Sequence, residues 1–353
     1  MMQDIELILK EAIEKDASDI FLVAGCPYSL KIKGNIIQMD DKRLSPKDTE
    51  IAIKKLYSLS VFDRYHEFIQ TGDDDFSFSL PNVGRFRVNV YLQRNSQAAV
   101  LRVVKFDLPD AKKMQIPKQI IDFYKVKKGM ILVSGPAGSG KSTTLACLID
   151  KINSTRNAHI VTIEDPIEFL HNHKKSIVSQ REVYHDTKNY LHALRSALRE
   201  TPEVILLGEM RDPETINTAI TAAETGHLLL STLHTVGAAN TIDRILDSFG
   251  SGQEQIRSQL SMVLHAVISE QLLPAIGGGV VPAFEIMLVN PAIRSQIREG
   301  KIHQINNTIA TGRNTGMISM DDSIYDLFNQ GKITAETAEI YALNPEQMSK
   351  RVK

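Results

Sequence analysis

One stretch constrains this chain more than any other: Gly135-Pro136-Ala137-Gly138-Ser139-Gly140-Lys141-Ser142-Thr143-Thr144. It fits G-x-x-x-x-G-K-[ST] with no position forced, and its flanks are those the pattern needs. An apolar run of strand length, Met130-Ile-Leu-Val133, precedes it. Leu145, Leu148, Ile149 and Ile152 follow at helical spacing. Glycines let such a loop turn its backbone N–H groups around phosphates, and the helix N-terminus behind it favours an anion. Lys141 is then expected to reach the β- and γ-phosphates and the Ser142 hydroxyl to bind Mg²⁺. Residues 135–143 therefore read as a nucleotide site.

At 353 residues the chain has material for two domains. Lys+Arg is 41 and Asp+Glu is 42, so the basic excess of a nucleic-acid or membrane-surface binder is missing. Cys26 and Cys147 lie far apart, which suits neither a disulfide framework nor a zinc site and fits a reducing compartment. Cys147 reads as a small core residue of the helix after the loop. No run approaches 18 consecutive apolar residues, and the start lacks a signal peptide's basic and apolar regions. A soluble, cytoplasmic protein is expected, with any membrane role exerted through a partner.

Taken in order, Ile5, Ile8, Leu9, Ala12 and Ile13 mark an amphipathic helix. Residues 18–23 read as a strand, 29–39 as a hairpin turning at Gly34-Asn35, and Ser45-Pro46 opens a helix towards Leu59. Phe76, Phe78 and Leu80 alternate in one strand, residues 81–84 turn, Phe86, Val88 and Val90 alternate in the next, and residues 97–104 supply another. This is a small α+β domain, residues 1–105. The second of those strands carries Arg85, Arg87, Asn89 and Tyr91 on its other face, which suits a solvated sheet surface or a basic face for a nucleotide.

Residues 106–117, with two prolines and no period, read as a linker. A core at 118–290 then alternates strands and helices. Strands are expected at 159–163, at 204–207 as a buried parallel strand, and at 227–233. Between them lie a helix bearing Leu191, Leu194 and Leu198 and one capped by Asp212-Pro213 and closed by Gly226. Residues 256–268 read as helical, and Gly277-Gly278-Gly279 turns a hairpin between Leu272-Leu273 and 280–286. The end, 291–353, reads as short helices.

In a parallel α/β sheet, ligands gather at the carboxyl ends of the strands. Three strands end in chemically useful residues: Glu164-Asp165, Gly208-Glu209 and Ser231-Thr-Leu-His234. ATP hydrolysis needs one carboxylate to position water, another to hold Mg²⁺ through its hydration shell, and polar groups that sense the γ-phosphate. Asp165 before Pro166 also fits a plain helix cap.

Ile163-Glu-Asp-Pro-Ile-Glu-Phe169, Gly208-Glu-Met-Arg-Asp212 and Gly226-His-Leu-Leu-Leu-Ser-Thr-Leu-His-Thr235 resemble the acidic box, Walker B and histidine box of the bacterial secretion ATPases. Over essentially the whole chain the resemblance is to the type IV pilus retraction (twitching motility) ATPases. Ala17-Ser-Asp-Ile20 is similar to that family's opening, and Ala292-Ile-Arg-Ser-Gln-Ile-Arg-Glu-Gly-Lys301 to its C-terminal signature. The resemblance implies α/β architecture: an N-terminal PAS-like α+β domain, a RecA-like P-loop ATPase domain, and a helical C-terminal extension. It implies a homo-hexamer acting with ATP and Mg²⁺ at an inner-membrane platform protein, without direct nucleic-acid contact. Glu164 would be the general base, Glu209 the carboxylate behind Mg²⁺, His227 and His234 nucleotide contacts, and Arg87 and Arg102 arginine fingers from the same or the next subunit.

Three positions depart from the family pattern, Ala137 for Thr, Val236 for Asn and Phe21 for His, while the Walker B without Asp before Glu209 is one the retraction family shares. Arg195 and Arg199, spaced i, i+4, suit a neighbouring subunit or a solvated face. The competing functions are an accessory retraction ATPase, a pilus-extension or type II secretion ATPase, a nucleic-acid motor, and a nucleotide-gated module without turnover. The extension and secretion relatives usually carry a longer N-terminal region and a four-cysteine zinc element, and this chain has neither.

Overall fold

The computed structural model describes residues 4–60, 64–81, 83–104 and 108–353. The domain end expected at residue 105 and the first two residues of the expected linker lie outside them, as does Asn82 in the 81–84 turn. The chain divides into two compact units, residues 1–107 with 168–170, and residues 108–167 with 171–353.

The first unit runs α1 (Ile5–Glu14), β1 (Asp19–Leu22), β2 (Ser29–Ile32), β3 (Asn35–Gln38), α2 (Pro46–Leu59), α3 (Tyr65–Thr71), β4 (Asp73–Leu80), β5 (Gly84–Gln93) and β6 (Ser96–Val104). Its strands form an antiparallel sheet in the order β3-β2-β1-β6-β5-β4. Ser45 and Asp48 make a reciprocal capping box at the start of α2, with Pro46 in the first turn. Ile5, Ile8, Leu9 and Ala12 of α1 and Ala52, Ile53 and Leu56 of α2 bury one helical face each. They pack with Phe76, Phe86, Val88, Val90 and Leu101 of the sheet in one core. The alternation read in β5 holds, and Arg85, Arg87 and Asn89 stand half-exposed on the other side. One turn differs from expectation. The β2–β3 hairpin turns at Lys33-Gly34, both at positive φ, and Asn35 already pairs with Ile32. The helix α3 carried no clear period and was not anticipated.

The second unit runs α4 (Lys118–Ile121), β7 (Gly129–Ser134), α5 (Lys141–Thr155), β8 (His159–Glu164), β9 (Ile177–Glu182), α6 (Tyr190–Ala197), β10 (Val204–Leu207), α7 (Pro213–Glu224), β11 (Leu228–Leu233), α8 (Ala238–Asp247), α9 (Gln253–Val263), β12 (Leu264–Pro274) and β13 (Val280–Leu288). It continues with α10 (Pro291–Arg298), α11 (Ile305–Thr311), α12 (Met320–Asn329), α13 (Ala335–Tyr341) and α14 (Pro345–Arg351). The sheet order is β13-β12-β7-β11-β10-β8-β9, parallel except for β13. The central strands β7, β11 and β10 are buried along their whole length and mostly apolar, because both faces of the sheet are covered. Met130 and Leu132 of β7 point into a core shared with α6 to α10, and Ile131 and Val133 into one shared with α4 and α5. The helices α12 to α14 close a third core over the β12–β13 hairpin. This is the expected fold class, an α+β domain followed by a helix-covered, largely parallel sheet with a helical C-terminal part.

Three readings are corrected. The helix expected over 256–268 stops at Val263, and Leu264 begins β12, which pairs in parallel with β7. The short, mostly apolar stretch 264–268 fits a buried strand as well as the end of a helix, and pairing with β7 decides it. The strand β9 was missed because Ser179, Gln180, Arg181 and Glu182 make it polar, which an edge strand tolerates. The helix α6 ends at Ala197, so Arg199 lies in the turn beyond it, while Arg195 pairs with Glu214 at 2.7 Å. Residues 108–117 are irregular but not a free tether: Ile116 is buried, and the Pro109 carbonyl accepts the Cys147 thiol at 3.1 Å. Cys147 itself is buried, and burial pushes its thiol up to about 12.

Candidate nucleotide site

The loop leaves β7 at Ser134 and enters α5 through Gly140, whose φ of 102° only glycine adopts readily. Lys141 is nearly buried, and its Nζ donates to the Gly135 and Pro136 carbonyls at 2.9 Å each. The ammonium is thus folded over its own loop, within reach of any anion the loop cradles. The Ser139 hydroxyl is buried with no hydrogen-bond partner among the described residues. The Gly135 N–H donates to the Leu233 carbonyl at 3.3 Å, which ties the loop to the end of β11.

Parallel register brings the strand ends to this loop. Ser134 is level with Leu233, Ser231 with Leu207, and Leu207 with Ile163. Glu164, Glu209 and His234 therefore emerge on the sheet edge that carries the loop. Glu164 Oε1 accepts from Thr162 Oγ1 at 2.6 Å and from Gln180 Nε2 at 3.4 Å. Glu209, almost buried, sets Oε1 2.6 Å from Arg211 Nη2 and Oε2 3.6 Å from His234 Nε2. Glu209, Arg211, Thr232, His234 and Arg244 line a cavity of about 620 Å³. Tyr190 stands at the same edge. Burial is the main reason its phenol is pushed up, and the fields of Glu209, Asp165 and Glu164 add to it.

His227 precedes β11 at its other end, where its carbonyl accepts from the Gly129 N–H at 3.0 Å. Gly129 to Ser134 is the length of β7, on the order of 17 Å at the usual rise per residue. Its Nδ1 donates instead to the Ala222 carbonyl, at the last turn of α7. The resemblance makes both His227 and His234 nucleotide contacts, and the strand separates the two: His234 follows β11 at the end beside the loop, and His227 precedes it at the other end. Arg87 and Arg102 belong to the first unit. They face each other across β5 and β6 and line a shallow basin with Asp19 and Asp75, Arg102 Nε at 3.4 Å from Asp19 and Arg87 Nε at 3.9 Å from Asp75.

The hard oxygen donors, Ser142 at the start of α5 and Glu209 after β10, two strands from β7 in the sheet order, suit a divalent cation completed by phosphate oxygens and water. Among the described residues no group of three or more His, Cys, Asp or Glu gathers into an all-protein metal cage. No helix among them is long and apolar enough to cross a membrane.

The sequence model of the Type II/IV secretion system protein family matches residues 1–316. The chain belongs to that family. It is 44% identical over 347 residues to the twitching motility protein of Neisseria gonorrhoeae, covering 98% of this chain and 92% of that one. It is 44% identical over 344 residues to the type IV pilus retractation ATPase PilT of Pseudomonas aeruginosa, covering 97% and 99%. The crystal structure of the pilus retraction motor PilT with bound ADP aligns with a TM-score of 0.90 at 47% identity, over 99% of this chain and 100% of that one.

In this member of the secretion family, sequence reasoning overlooked four residues at the site: Thr162, Gln180, Tyr190 and Glu270. Thr162 could have been found, because it lies two residues before Glu164 on a strand and so shares its face. Gln180 sits on the unrecognised strand β9, directly opposite Thr162. Nothing local marks Tyr190 or Glu270.

Proposed function

We propose that the chain is an ATP-hydrolysing motor subunit that powers type IV pilus retraction, and so twitching motility. The observation that carries the reading is the shared sheet edge: parallel register aligns the phosphate loop with Glu164, Glu209 and His234. Lys141 and the loop N–H groups bind the phosphates. Glu164, oriented by Thr162 and Gln180, positions the attacking water as general base. Ser142 and Glu209 would hold Mg²⁺, which supplies neutralisation of charge on the phosphates. His234 senses the nucleotide state through Glu209. The relatives named for retraction and twitching motility, matched almost end to end, support the direction of work.

The working assembly is a homo-hexamer in the cytoplasm, peripheral at the inner membrane through a platform protein. Its domains are residues 1–105, a linker at 106–117, the core 118–290 and the helical 291–353. Arg87 and Arg102 act as fingers on a site of the same or the next subunit. The test is turnover by purified Lys141→Ala and Glu164→Gln variants. A fall on the order of a hundredfold or more, with Glu164→Gln still binding ATP, is expected. Wild-type turnover in either variant defeats the reading. Complementation of a retraction-deficient strain distinguishes it from an accessory, extension or secretion ATPase.

A further inference from the structure

Glu270 lies in β12, the strand beside β7, and is 1% exposed. It forms the floor of the phosphate loop. A Cβ at Gly135 would collide with its backbone carbonyl, and a Cβ at Gly140 would stand 3.0 Å from its Oε1. Oε2 accepts from Thr144 Oγ1 at 2.7 Å, in the first turn of α5. Oε1 has no hydrogen-bond partner among the described residues. The elements around this carboxyl bring Lys141 and Thr144 from α5, Gly140 from the loop, and Phe284 opposite it on β13. Lys141 is the one formal charge among them.

A buried carboxylate with one donor and one cation is weakly supported. Phosphates on the far side of the loop would bring negative charge close to it. They would also draw on Lys141, the cation whose field favours its ionised form. Both effects favour the neutral acid.

We propose that Glu270 is a positioning residue of the phosphate loop, holding it through Thr144, and that it takes up one proton when nucleotide phosphates bind. The proton comes from the bulk buffer, goes to the carboxyl group and is returned on release. Burial, opposed by Thr144 and Lys141, pushes the carboxyl up to about 7, so the uptake falls near neutral pH. The sign follows from linkage: affinity is greatest while the free protein already carries the proton, and falls as pH rises above about 7, by up to about tenfold per pH unit. A glutamine there mimics the neutral acid and cannot titrate.

This rests on the nucleotide reading of the loop. The test is ADP binding to the full chain by calorimetry from about pH 6 to about pH 8.5, in buffers of different ionisation enthalpy. Wild type should lose on the order of tenfold more affinity than Glu270→Gln across that range, and should take up a proton that the variant does not. Comparing the two cancels the titration of ADP itself. Thr144→Val keeps the carboxyl and removes the donor that favours its charge, so its affinity should begin to fall at higher pH than in wild type. That comparison also decides the matter if Glu270→Gln does not fold. Equal pH profiles and proton counts for wild type and Glu270→Gln, or an unshifted profile for Thr144→Val, overturn the proposal. Failure of wild type to bind ADP at any pH would instead defeat the nucleotide reading.

Discussion

The Thr162 hydroxyl donates to the Glu164 carboxylate at 2.6 Å, two residues along one strand and on one face of it. Gln180, opposite Thr162 on β9, approaches the same oxygen at 3.4 Å. A general base must be aimed as well as present, and misplacement by about 1 Å can cost about a hundredfold in rate. Thr162→Val keeps the shape and removes the donor. Its kcat should fall about tenfold with KM little changed, while Thr162→Ser stays within a few-fold of wild type. Steady-state phosphate release measures both, and an unchanged Thr162→Val shows that the hydroxyl does not orient the base.

The loop glycines are constrained for different reasons. Gly138 has φ of 77° and nothing near its would-be Cβ, so Gly138→Ala should cost about 1 kcal/mol of backbone strain. Gly135, at φ of 150°, faces the Glu270 carbonyl, which cannot swing aside as a side chain would. Gly135→Ala adds overpacking of about 1–3 kcal/mol to the strain and should misplace the loop. Chemical unfolding and ADP binding should therefore rank Gly135→Ala well below Gly138→Ala. Equal losses would show that close packing under the loop is unimportant.

The arginine pair makes a prediction about assembly. If Arg87 and Arg102 act on a neighbour's nucleotide, a ring of the double variant Arg87→Ala with Arg102→Ala keeps intact phosphate loops and lacks fingers, and a Lys141→Ala ring has the reverse. Each alone should hydrolyse ATP at least about tenfold more slowly than wild type. Mixed before assembly, the two should regain part of the activity, because some sites then combine a good loop with a good finger. Phosphate release by mixtures of the purified variants reads this directly. No regain over the separate variants places the arginines on their own subunit's site or away from catalysis.

What was legible beforehand was local. The loop declared itself because strand, glycines and helix are contiguous, and β5 because alternation marks a half-buried strand. Register was not legible. Glu164, Glu209 and His234 were placed at strand ends by pattern, whereas His227 was named with them through the resemblance alone, and it stands before β11 at the opposite end. The polar strand β9 looked like loop, and with it Gln180 went unseen. Glu270 lay just beyond a run read as helix, and its meaning comes from Thr144, 126 residues away in the chain.

Two buried groups should make stability respond to pH in opposite senses. Burial pushes the nearly inaccessible His171 down from 6.5 to about 4, so it folds neutral. The unfolded chain takes up that proton first, and the stability present above about 6.5 is lost as pH falls towards 4. Glu270 is raised from 4.5 to about 7, so its contribution is full below about 4.5 and is lost as pH rises through 7. Between about pH 4.5 and 6.5 the two slopes oppose each other, each near 1.4 kcal/mol per pH unit. Removing one group should expose the other. Relative to wild type, His171→Phe should lose about 2 kcal/mol as pH rises across that window, and Glu270→Gln should gain about as much. Denaturant unfolding at both ends of the window measures the tilt, and tilts of the same sign in the two variants would rule out this pairing of buried acid and base.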